Sequence, residues 1–140
     1  MLNGIIHAHS GWRWLVLVLL VSAIGFAFAN KSKFQKKITL FALIATHIQL
    51  IFGLILFYTS PKVQFSEGFM KNPITRFYTI EHTVIMLLAI LIITFGYSKA
   101  KRASLENDAT KHIRLYYGIG VLLILISIPW PFRNLGAGWF

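Results

Sequence analysis

The chain contains no cysteine, which excludes disulfides, thiolate metal centres and thioether attachment of a cofactor. Charge is scarce as well. Asp, Glu, Lys and Arg make up 13% of the 140 residues, about half of the ~25% usual in soluble globular domains. Acids are the scarcest, four in all. The strict alternation of a membrane β-strand is missing, which argues against a barrel, and no linker, low-complexity tract or internal repeat divides the chain. No basic residue precedes the first apolar run and no small-residue cleavage pattern follows it, so that run is expected to be a retained helix and not a signal peptide.

Hydrophobic residues are abundant, at 56%. They form four runs, 5–29, 38–58, 78–97 and 115–130, apolar all round and each near the ~20 residues that a spanning helix needs. Asn72-Pro73 reads as an N-cap followed by proline at the first helical position, which moves the third start to 73. The segment 98–111 reads as a solvated turn, with Asp108 or Thr110 capping a fourth helix from about residue 113. Pro129 and Pro131 end that helix near 130. The expected architecture is therefore all-α: one integral membrane four-helix bundle over residues 1–140, with spans at about 5–29, 38–58, 73–97 and 113–130.

The formal charge of +10 is unevenly placed. Nine cations (Lys31, Lys33, Lys36, Lys37, Lys99, Lys101, Arg102, Lys111 and Arg114) belong to the two loops on one side, and five (Arg13, Lys62, Lys71, Arg76 and Arg133) to the other. This bias predicts cytoplasmic basic loops and both termini on the outer, periplasmic side of a bacterial inner membrane. It also assigns the basicity to topology and anionic lipid head groups, not to nucleic acid. Tryptophans and other aromatics near the outer ends read as interfacial anchors.

Ionisable side chains at membrane depth are costly and usually functional. His7 and His9 lie at the lip of the first run, His47 within the second and His82 in the third. At 1.5 Å per residue, His9 is expected about 12 Å and His82 about 5 to 8 Å above the midplane, with His47 close to it. His112 falls at the cytoplasmic start of helix four as an ordinary interfacial histidine. Arg13 stacks one turn from His9 and needs an anionic partner, either Glu81 or a carboxylate on a bound cofactor. On helix three, His82, Met86, Ala89, Ile93 and Gly96 share a narrow stripe along which a planar macrocycle is able to lie, while Glu81 is placed to orient a neighbouring imidazole. Gln49 suits an interhelical hydrogen bond, and Thr46, Gln49 and Gly53 share a face that His47 does not.

Neutral imidazoles facing one another in an apolar bundle, with arginines at the rim, match the requirements of a b-type haem. His9 and His82 are the first choice of axial ligands, His7 and then His47 the substitutes, and Arg13, Arg76 or Arg133 the propionate partners. One such group cannot carry electrons across a bilayer, so a quinol or a partner membrane respiratory or assembly protein is expected.

The motifs His7-Ala8-His9-Ser10-Gly11-Trp12-Arg13-Trp14, Thr46-His47-Ile48-Gln49 leading to Gly53, Arg76 through His82, and Ile128-Pro129-Trp130-Pro131-Phe132-Arg133 resemble a family of small bacterial four-span proteins labelled cytochrome b-like. The order His9 with Arg13, Gln49 with Gly53, then His82 is more distantly similar to one half of haem A synthase. In that family histidine and arginine are adjacent and two such halves are joined, so the resemblance implies a haem-facing four-helix unit without complete haem A synthase activity. Two other readings remain open: a non-enzymatic accessory subunit docking through the aromatic tail 136–140, and a metal or proton site built from His7, His9, Glu81 and His82.

Overall fold

The computed structural model describes residues 1–29 and 32–139, and Asn30, Lys31 and Phe140 lie outside the described residues. Four helices are long and apolar enough to cross a membrane: α1, Leu2–Phe28; α2, Ser32–Thr59; α3, Pro73–Arg102; and α4, Glu106–Ser127. No strand occurs among the described residues. Single 3-10 turns at Phe69–Lys71 and Pro131–Arg133 shape the connection before α3 and the tail after α4. The helices alternate in direction, so the start of α1 and the tail share one end, the terminal end, and the lysine-rich connections share the other, the basic end.

Packing runs α2 to α1 to α4 to α3, with only sparse contact between α2 and α3. The tight seams are built from small residues. Ala23 and Ala27 of α1 and Ala42 and Ala45 of α2 are buried, and Gly96 and Gly120 let α3 and α4 approach so closely that a Cβ at either would collide with the facing helix, at Tyr116 and Ile93. Close approach through small residues is how helices associate where lipid offers no hydrophobic penalty to separation. Leu20, Ile93, Ile113, Tyr117 and Ile128 fill the centre. Outward faces stay apolar, with Val18, Ile51, Leu91 and Leu122 all largely exposed, as lipid contact requires.

Capping sets several boundaries. Asn72 Oδ1 accepts from the Ile74 amide at 2.9 Å and the Thr75 amide at 3.4 Å, as expected from Asn72-Pro73. Arg114 donates twice to the Ala27 carbonyl, at 2.7 and 3.1 Å, satisfying an acceptor that the end of α1 leaves over. The α4 helix stops at Ser127, just before Pro129.

Two expected boundaries are corrected. The α2 helix begins by Ser32 and not at 38, and the 98–111 turn shrinks to residues 103–105, because α3 runs to Arg102 and α4 starts at Glu106. Asp108 and Thr110 therefore lie inside α4 and cap nothing. Hydropathy marks where a helix leaves lipid, whereas Lys, Arg and Glu are good helix formers that carry it onward into water.

Candidate functional site: a two-histidine chamber

The loose α2–α3 seam opens at the terminal end into a chamber of about 240 Å³. All four helices and the tail line it. Its apolar walls include Val16, Leu50, Leu54, Met86 and Ile124, and its polar groups include His9, Arg13, Gln49, Lys62, Tyr78 and His82.

A π-helical turn at Phe77–Glu81 sets the direction of His82. Thr83 Oγ1 donates to the Tyr78 carbonyl five residues back at 2.9 Å, which supplies that turn with a partner. Such turns inside α-helices are frequent at functional sites. His82 Nδ1 lies 2.8 Å from the Ser127 carbonyl. A carbonyl only accepts, so Nδ1 carries the proton and Nε2 keeps its lone pair. Opposite stands His9, whose ring centre is 6.4 Å from that of His82 with the planes at 71°. His9 Nδ1 is buried without a hydrogen-bond partner. Helix α2 steadies this turn of α1, since Gln49 Nε2 donates to the His9 carbonyl at 2.9 Å, while Gln49 Oε1 is buried and unpaired. Gly53 completes the wall, and a Cβ there would lie 3.5 Å from His9 Cε1.

Arg13 is 9% exposed. One guanidinium nitrogen donates to the Trp139 carbonyl at 2.7 Å, the group lies over the Trp14 and Trp130 rings, and Nε is buried with no partner. The tail crosses the chamber mouth on a series of such contacts. Tyr78 donates to the Leu135 carbonyl at 3.1 Å, Lys62 Nζ to the Gly136 carbonyl, and Trp14 to the Trp139 carbonyl at 3.2 Å. Asn134 and Gly136 turn the chain at positive φ, 54° and 69°. Burial lowers the Lys62 pKa below the usual lysine value. Two cations at one mouth thus rest on neutral carbonyls.

The other expected site residues fall elsewhere. His7 is exposed and lines no part of the chamber. His47 bonds through Nδ1 to the Leu43 carbonyl at 2.8 Å and faces Thr94 through Nε2 at 3.5 Å, so it bridges α2 to α3 and lines no part of the chamber that Thr46, Gln49 and Gly53 line. The Arg13–Glu81 pair does not form. Glu81 is held by Arg76 at 2.7 Å with both side chains about 40% exposed, and it orients no imidazole. Arg133 donates to the Ile126 and Ile128 carbonyls, covers Phe77, and lines no part of the chamber. Below Met86 the helix-three stripe is no bed for a macrocycle either: Ala89, Ile93 and Gly96 are consumed in packing against α4. Among the described residues no three His, Asp or Glu side chains converge as a metal site, because His7 and Glu81 point away.

Sequence reasoning did not assign Ser127, Lys62 or the tail carbonyls to the site. A polar residue just before Pro129 was the one available signal for Ser127. The π turn left none. Comparison of the chain with protein-family models, curated proteins and solved structures gives no match.

Exposed ion pairs contribute ~0 to 1 kcal/mol. Glu81→Gln is therefore expected to shift thermal stability marginally and to leave any ligand spectrum of the purified protein unchanged, as paired melting curves and absorption spectra would show.

Proposed function

We propose that the chamber holds one b-type haem between His9 and His82, in a four-helix membrane protein of electron transfer or haem handling. The observation that carries this reading is two imidazoles facing across one chamber. Their ring centres, 6.4 Å apart, are close enough that both imidazoles would hold one haem iron between them. The Ser127 carbonyl supports the role of His82, since a metal-bound histidine characteristically donates its other N–H to a backbone carbonyl or carboxylate. His9 contributes a buried nitrogen that no group among the described residues satisfies, and leaving such a group unpaired costs about 1–3 kcal/mol.

Arg13 suits a propionate. Among the described residues its buried Nε is unpaired and its one acceptor is the tail carbonyl of Trp139, a weaker partner than a carboxylate. Lys62 offers a second cation beside it. Arg76 and Arg133, engaged elsewhere, are set aside as propionate partners. When bound, the haem supplies a one-electron iron couple. The apolar walls keep water from it, and one haem alone does not span a bilayer, so a quinol or a membrane respiratory or assembly protein completes the circuit. The charge bias supports a chamber on the periplasmic side of a bacterial inner membrane. The carbonyls of 135, 136 and 139 are bound across the chamber mouth, while the Trp139 side chain stays exposed.

Reduced-minus-oxidised spectra of purified protein supplied with haem are expected to show a b-type α band at one haem per chain. Absence of the band sinks the reading. Gly53→Leu adds bulk beside His9 without touching either imidazole, and is expected to lower haem occupancy severalfold in a protein that still folds.

A further inference from the structure

At the basic end a second cavity, about 460 Å³, lies between α2, the end of α3 and the start of α4. Its inner wall is polar. Thr110 Oγ1 lies 3.2 Å from the Gln35 side-chain amide, and both residues are buried. Beside them Thr39 is 3% exposed and its hydroxyl has no partner. A mid-helix threonine ordinarily returns its hydroxyl to the carbonyl four residues back. Thr46, Thr59, Thr94 and Thr110 all do so in this chain. Thr39, lining the cavity, does not.

Lys36 and Lys101 stand exposed at the rim. The α4 helix begins at the same place without a side-chain cap, its N-cap being Leu105. Its first-turn amides are therefore left for water or a ligand. Glu106, also at the rim, offsets part of the positive potential. The remaining set is two ammonium groups, an uncapped helix N-terminus and a buried unpaired hydroxyl. A phosphate group takes such a set of donors.

We infer that this cavity binds the phosphate group of an anionic ligand. Its two sources are the head group of an anionic phospholipid in the adjoining leaflet and a free phosphate anion. The site is independent of the histidine chamber.

Native mass spectrometry of the full chain, released from vesicles of phosphatidylcholine with and without phosphatidylglycerol and titrated with inorganic phosphate, tests it. Retention of one phosphatidylglycerol per chain, or saturable binding of inorganic phosphate, supports the site, and which of the two occurs identifies the source. Thr39→Val removes an unpaired hydroxyl and so is expected to fold normally. It and the Lys36→Gln/Lys101→Gln pair should each weaken retention about tenfold, the equivalent of one charge-assisted hydrogen bond. Lys33→Gln/Lys37→Gln, on the same helix but outside the cavity, should not. Equal retention by the folded Thr39→Val and double-lysine variants, or no preference over phosphatidylcholine and no phosphate binding, overturns the inference.

Discussion

His82→Ala is expected to abolish the b-type absorption band completely, and His9→Ala to do the same, with no further loss in the double variant. Each removes one of two ligands to a single centre, so the effects are those of one unit and do not add. His82→Ala also takes the donor from the Ser127 carbonyl, a cost of about 1–3 kcal/mol, so thermal melts of the haem-free proteins must accompany the spectra. His82→Met separates the two consequences. It cannot supply the donor to Ser127, yet its thioether can still ligate, and a histidine–methionine pair raises the reduction potential relative to two histidines. The expected result is a band that returns with its midpoint shifted upward. His47→Ala is the control: it loses the Leu43 and Thr94 contacts and some stability, but keeps its pigment. Unchanged haem stoichiometry in His82→Ala overturns the assignment. A band retained in wild-type protein but insensitive to both histidines would place the haem outside this chamber.

The all-α bundle was legible because each span must hide its backbone within itself, and a run of ~20 apolar residues leaves few other options. The juxtaposition of His9 with His82 was legible for a related reason: depth follows from counting along parallel helices. Azimuth did not follow. Whether a side chain faces a neighbour or lipid depends on crossing angles and on local changes in helical period, and the π turn at Phe77–Glu81 makes such a change just before His82. Glu81 consequently turns to Arg76 five residues back, a contact that regular spacing does not suggest. The tail was the least legible part. Its carbonyls reach Arg13, Lys62 and Tyr78 through backbone atoms, which have no sequence signature.

The largest expected effect on stability lies far from the histidines, at Gly96. A Cβ there collides with Tyr116 Cβ and comes within 2.9 Å of its Cγ. These atoms sit at the root of a side chain, and no rotamer moves the first of them. Relief therefore requires α3 and α4 to separate. Overpacking of this kind costs about 1–3 kcal/mol, occasionally more, and it works against the ~1 kcal/mol that alanine gains over glycine in a helix. Gly120→Ala meets Ile93 Cγ1 and Cδ1 instead, atoms beyond the Cβ that small torsional shifts displace without parting the helix backbones, so it should cost less. Gly118→Ala, with nothing within 4 Å, is expected to gain stability from the same chemical change. Melting of the three variants in one detergent should rank them Gly118→Ala, wild type, Gly120→Ala, Gly96→Ala from highest to lowest midpoint. Tyr116→Gly in the Gly96→Ala background removes the colliding atom, and the pair should lose less than the two single losses together. Because α3 carries His82 and α4 carries Ser127, separating them also loosens the hydrogen bond that fixes the His82 ring. Gly96→Ala should then bind haem more weakly while the fraction that binds keeps the wild-type band, and a shifted band would mean that the seam sets the ligand geometry directly.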